Sequence, residues 1–139
     1  FVPMFARAAD TLEPATAPGV TSYADPAYGG ELRLLITPDG AAAATRLHDD
    51  ARATGGATAD AYQLTFTPGS QYVTATFDLD TRAAQAAHVA APTAITRDGA
   101  PLPTAADEVA LTACTSGCWL AEPGRLRVRL VGAGTIAIR

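Results

Sequence analysis

Lysine is absent from the 139 residues; all ten basic residues are arginine, and fourteen acidic residues outnumber them. The formal net charge is -4 and the sequence pI is about 4.9. Nucleic acids and anionic membrane surfaces are bound through concentrated positive charge, so neither is expected as a partner. Long apolar runs are also missing, and none approaches the ~18 residues that a membrane-spanning helix requires. No charged start followed by an apolar stretch opens the chain, so no secretion signal is read at the N-terminus. Aromatic residues make up 6% of the sequence, with a single Trp, and cysteine occurs twice.

What is present bounds the architecture. A hydrophobic content of 48% over 139 residues supplies one cored domain and falls short of two large ones. The clearest period is Arg125-Leu126-Arg127-Val128-Arg129-Leu130, a strict alternation with three guanidinium groups on one face and three aliphatic side chains on the other. It predicts a half-buried strand. The same alternation over Tyr62–Thr67 and Val73–Leu79, with Pro68-Gly69-Ser70 between them, predicts a hairpin. A second hairpin is expected across Asp98-Gly99, a dipeptide that supplies the positive φ angles of a tight turn, between Ala94–Arg97 and Ala100–Leu102. Glu108–Cys114, Cys118–Ala121 and Thr135–Ile138 read as further strands. Upstream, Glu31–Thr37 is a strand ended by Pro38-Asp39-Gly40, with Ala42–His48 as its expected hairpin partner. Residues 13–30, punctuated by Pro14, Pro18, Gly19, Pro26, Gly29 and Gly30, show no period and read as a long connection. Thr81–Ala87 is the segment compatible with a helix. About nine short strands with frequent turns predict an all-β fold, an antiparallel β-sandwich of Ig-like or jelly-roll type.

Candidate chemistry is sparse. Cys114 and Cys118, separated by Thr115-Ser116-Gly117, fit a disulfide across a tight turn, and such a bond implies an oxidising compartment. Two free thiols are the alternative. A zinc centre would need further ligands, for which only the distant His48 and His88 are available. Neither histidine has a serine, cysteine or aspartate at a spacing that suggests a triad. Asp49-Asp50 reads as a solvated turn or a calcium-ligand fragment and not as an acid/base pair, because neighbours at a strand end point in opposite directions. Ser116 lacks the flanking glycines of a nucleophile elbow, and Gly132-Ala133-Gly134 lacks the helix that completes a phosphate loop. No catalytic residue, cofactor site or metal site is therefore assigned. Trp119, with Tyr23, Tyr28, Tyr62 and Tyr72, is a candidate sugar contact through stacking on aromatic faces, and packing against the core or the disulfide is the competing role.

The first 50 residues carry a resemblance. Phe1-Val2-Pro3-Met4-Phe5-Ala6-Arg7-Ala8-Ala9 is similar to the strand that follows the catalytic barrel in glycoside hydrolase family 31, which holds α-glucosidases and α-xylosidases. Thr11-Leu12-Glu13-Pro14 then occupies the place of that family's next motif. Leu32–Gly40 resembles its strand ending in Pro-x-Gly, and Leu47-His48-Asp49-Asp50 resembles the acidic segment after it. Ala9 and Ala51 stand where the family usually has glycine, and the Pro-rich insertion before Gly30 is atypical. The resemblance implies that residues 1–50 end a proximal C-terminal β-sandwich and that 51–139 form a distal one, or that both pack as one domain. It also implies a fragment of a longer, extracellular or cell-surface α-glycosidase. The family's catalytic aspartates lie in an upstream barrel, so the implied role here is accessory: stabilising that barrel and contacting oligosaccharide or polysaccharide. A free-standing carbohydrate-binding module and an Ig-like adhesion domain are the alternatives.

Overall fold

The computed structural model describes residues 4–7, 31–38, 43–46, 50–70, 72–82 and 87–139. The strands are β1 (Met4–Arg7), β2 (Glu31–Thr37), β3 (Ala43–Arg46), β4 (Arg52–Ala57), β5 (Tyr62–Thr67), β6 (Thr74–Asp80), β7 (Ile95–Arg97), β8 (Ala100–Pro101), β9 (Gly117–Glu122), β10 (Arg125–Val131) and β11 (Gly134–Ile138). Among the described residues two short helices interrupt them, α1 (Ala87–Ala90) and α2 (Glu108–Ala113). The strands form a β-sandwich. One sheet has the order β1-β2-β6-β10-β9, the other β3-β4-β5-β11-β7-β8. The second is antiparallel throughout, whereas in the first β1 and β6 each flank β2 in parallel.

Alternation sets which faces meet. Tyr62, Leu64 and Phe66 of β5 turn inward opposite Ala75, Phe77 and Leu79 of β6, and all six are buried. The rings of Phe66 and Phe77 meet edge to face across the interface, with centroids 5.8 Å apart and planes at 74°. Leu32, Leu34 and Ile36 of β2, Leu126, Val128 and Leu130 of β10, and Ile136 and Ile138 of β11 extend the main core, which Tyr72, Val89 and Ile95 also enter. Burying each such side chain is worth about 1.5–3 kcal/mol, which makes this layer the chief source of stability. Residues from both sides of the expected 50/51 boundary line this one core.

Two expected hairpins are not formed, and one expected strand is a helix. β5 and β6 do not pair: they lie in opposite sheets. Both strands carry an apolar face, and stacking those faces across the core buries each of them. β3 likewise leaves β2 and pairs with β4, Ala43 opposite Gly55. Glu108–Cys114 forms α2 because Asp107 caps it, its side chain accepting from the Ala110 amide at 2.8 Å. Of its alternating Val109 and Leu111, only Leu111 is buried; Val109 is 76% exposed. The second hairpin is formed as expected, with Asp98 at φ 51° and Gly99 at φ 87° joining β7 to β8. Of the helix expected at Thr81–Ala87, Ala87 lies in α1, Thr81 and Arg82 are in a turn, and residues 83–86 lie outside the described residues. The long connection of residues 13–30 also lies outside them.

Candidate functional site

β10 presents its arginines to the outer face of the five-stranded sheet, between β6 and β9. The register sets Arg127 opposite Asp78 and Leu120, Arg125 opposite Asp80 and Glu122, and Arg129 opposite Thr76 and Cys118. Alternation leads one to expect three solvent-facing cations. Instead Arg127 is 1% exposed, with Asp78 and Thr76 buried beside it.

Helix α2 accounts for part of that burial. Leu111 packs with Ala105, Cys118 and Leu120 in a cluster separate from the main core. Glu108, in the first turn, reaches Arg127 Nη1 at 3.1 Å and Arg33 Nη2 at 3.5 Å. Arg127 Nε donates to Asp78 Oδ1 at 2.9 Å, and its Nη1 lies 3.8 Å from Glu122 Oε2, which accepts from Arg125 Nε at 2.9 Å. Three carboxylates thus surround one desolvated guanidinium. The Nη1 and Nη2 atoms make no well-formed hydrogen bond among the described residues, so the Glu108 contact is an ion pair without the fork geometry of a bidentate one. Burial pushes the Asp78 carboxyl above its ordinary value, while the Arg33 and Arg125 charges pull it back. Asp80, by contrast, at the end of β6, is half-buried and held below the usual carboxylate range by hydrogen bonds from Arg82.

Chemically, this arrangement holds an element in place. The guanidinium stays protonated throughout the accessible pH range, so it supplies fixed charge and no transferable proton. The sequence contains a signal for the cluster: Asp78 and Asp80 alternate on β6 as the arginines do on β10. Which of those charges would be covered is not encoded by spacing, because the cover comes from α2.

The disulfide between Cys114 and Cys118 is present, with Cα atoms 6.2 Å apart. It joins the C-terminal end of α2 to β9, where a hairpin was expected. Gly117, at φ 144°, makes the approach: a Cβ there would lie 2.8 Å from the Arg129 carbonyl oxygen. Arg129 Nη1 donates to the Cys114 carbonyl.

Trp119, one residue along β9, is half-buried and points to the opposite side. It packs against the main core, and its indole Nε1 donates to the Leu102 carbonyl at 3.2 Å. Tyr62 and Tyr72 are wholly buried and contribute nothing to an aromatic platform, and Tyr23 and Tyr28 lie outside the described residues. The remaining candidates are dispersed. His88 is half-buried on α1, Ser116 is exposed in the turn before β9, and Asp50 is exposed at φ 65°; His48 and Asp49 lie outside the described residues. Gly132-Ala133-Gly134 links β10 to β11, and Arg97 Nη2 donates to the Val131 and Ala133 carbonyls on either side of Gly132. Among the described residues, no group of three His, Cys, Asp or Glu side chains is arranged to hold a metal ion.

No family model matches the chain, and no curated protein matches it. Among solved structures, the chain is similar to an uncharacterized protein from Listeria monocytogenes EGD-e, crystallised in complex with α-D-glucose, β-D-glucose, magnesium and calcium. The superposition has a TM-score of 0.56 at 13% identity and covers 78% of this chain. This chain spans about a tenth of that protein's length, 10% of it being matched. At that identity the likeness is one of fold.

Proposed function

We propose that this chain is a non-catalytic accessory β-sandwich of a secreted α-glycosidase similar to glycoside hydrolase family 31, seated against the catalytic barrel of the same polypeptide and contacting glycan. The observation that carries this reading is the placement of the two segments that resemble that family. Met4–Arg7 and Leu34–Thr37 lie side by side as parallel neighbours, Met4 opposite Leu34 and Arg7 opposite Thr37. Segments separated by the long Pro-rich connection thus meet in one sheet, as consecutive structural strands of a sandwich would. Two further observations support it. The disulfide suits an oxidising, extracellular setting, and the fold is shared with about a tenth of a larger protein crystallised with glucose.

The test is to express the complete open reading frame that encodes this chain, beside a version lacking residues 31–139. The complete protein is expected to hydrolyse p-nitrophenyl α-glucoside or α-xyloside, with the shortened one losing soluble yield or thermal half-life. A complete product without α-glycosidase activity would overturn the proposal. Retardation of the isolated chain in a gel containing α-glucan then tests the glycan contact by itself.

A further inference from the structure

Helix α2 is six residues long. Isolated helices below ~12–15 residues are marginal in water, because fixing the first turn costs more than its single hydrogen bond returns. Its order must come from what holds it to the sheet, and the holding groups fall at its two ends. At the N-terminal end, Glu108 pairs with Arg127 and Arg33. That carboxylate is 60% exposed, so water and salt weaken the pairing. At the C-terminal end stand the Cys114–Cys118 disulfide and the Arg129 bond to the Cys114 carbonyl. Between the ends, Leu111 is the one buried side chain of the helix, and its cluster is separate from the main core.

We propose that the Cys114–Cys118 disulfide is a redox latch, whose reduction releases α2 from the outer face of the five-stranded sheet while the sandwich stays folded. The bond spans only Thr115-Ser116-Gly117, so it closes a small ring and removes little freedom from the unfolded chain. Its effect is local order. Cys114 is half-buried and Cys118 is 1% exposed, which directs attack to the Cys114 sulfur. A thiolate of a dithiol reductant attacks Cys114 Sγ, the S–S bond breaks, and its electron pair leaves on Cys118 Sγ, which takes up a proton. The second thiol of the reductant then displaces the Cys114 sulfur and closes the reductant's own disulfide. Two electrons pass from dithiol to protein. Release uncovers Leu111, Leu120 and the Arg127 cluster beneath the helix. The neighbouring segment stays in place, because Trp119 donates to the Pro103 carbonyl at 3.1 Å and Ala105 to the Trp119 carbonyl at 2.7 Å, independently of the disulfide.

Hydrogen exchange read by mass spectrometry, with and without dithiothreitol, tests the latch. The amides of Ala110, Leu111 and Cys114 are expected to exchange about tenfold faster or more on reduction, while β6, β10 and Trp119 keep their protection. Cys118→Ser without reductant is expected to reproduce the reduced pattern. Unchanged protection of α2 in the reduced protein would show that the other contacts suffice and overturn the proposal. Loss of protection throughout the sandwich would overturn it too, since the bond would then be a staple of the whole fold.

Discussion

Arg127 occupies a position where strand alternation points to solvent, yet it is buried, and its charge is compensated chiefly by Asp78 at 2.9 Å. Removing one member of such a pair strands the other in a medium that solvates it poorly. Arg127→Met is therefore expected to destabilise the fold by about 3–5 kcal/mol in urea titrations. Asp78→Leu combined with Arg127→Met is expected to recover most of that loss, because an apolar pair of similar volume carries no desolvation cost. A double variant as unstable as the single one would show that Arg127 acts mainly through Glu108 and Glu122. Trp119 makes the converse point. Its position after the second cysteine is legible in the sequence, but which side of β9 it occupies follows from register: it lies opposite Val128, on the core side, while Cys118 and Leu120 share the outer side with α2.

At the scale of elements, the strands with strict alternation were readable, and their partners were not. Tyr62–Thr67 and Arg125–Leu130 are found within one residue of their expected bounds. β5 pairs with β4, just before it in the chain, and with β11, more than sixty residues on, with Thr65 and Thr135 hydroxyls 3.0 Å apart. Adjacent apolar strands suggest a hairpin only when nothing else competes for their faces, and in a sandwich the opposite sheet competes. Turn chemistry fared better where the backbone itself demands it. Gly99→Ala places a Cβ in open space, so only the positive φ opposes it, at about 1 kcal/mol. Gly117→Ala meets the Arg129 carbonyl at 2.8 Å and is expected to cost more, about 2–3 kcal/mol. Thermal melts of the two variants check the order, and an equal loss would mean that the β9 backbone yields without resistance. For α2 a legible signal existed, Asp107 followed by Glu108 and an alanine-rich turn, and it outweighs the two-residue alternation of Val109 and Leu111.

For the whole molecule, cohesion rests on contacts between sheets. Phe77, on a central strand of one sheet, meets Phe66 on the other, and both are about fully buried. Phe77→Ala removes the ring from that junction and is expected to lower stability by about 3–5 kcal/mol, a large part of the 5–15 kcal/mol typical of a domain. A urea midpoint that hardly moves would mean that the layers are joined elsewhere. The proposed accessory role belongs to this scale as well. A sandwich with one main core and an outer face covered by a helix offers a scaffold to a neighbouring domain, and its activity must then be read in the complete protein.

The sequence by itself determined the class of fold, the main strand faces, the Asp98-Gly99 turn and the cysteine pair, because each is set by the period of the chain or by the φ of one or two residues. The order of strands in the sheets, the parallel neighbours of β2 and the burial of Arg127 were decided only by tertiary structure. Those features depend on which apolar face finds which across distances of tens of residues, and on a short helix whose own stability comes from the surface it covers.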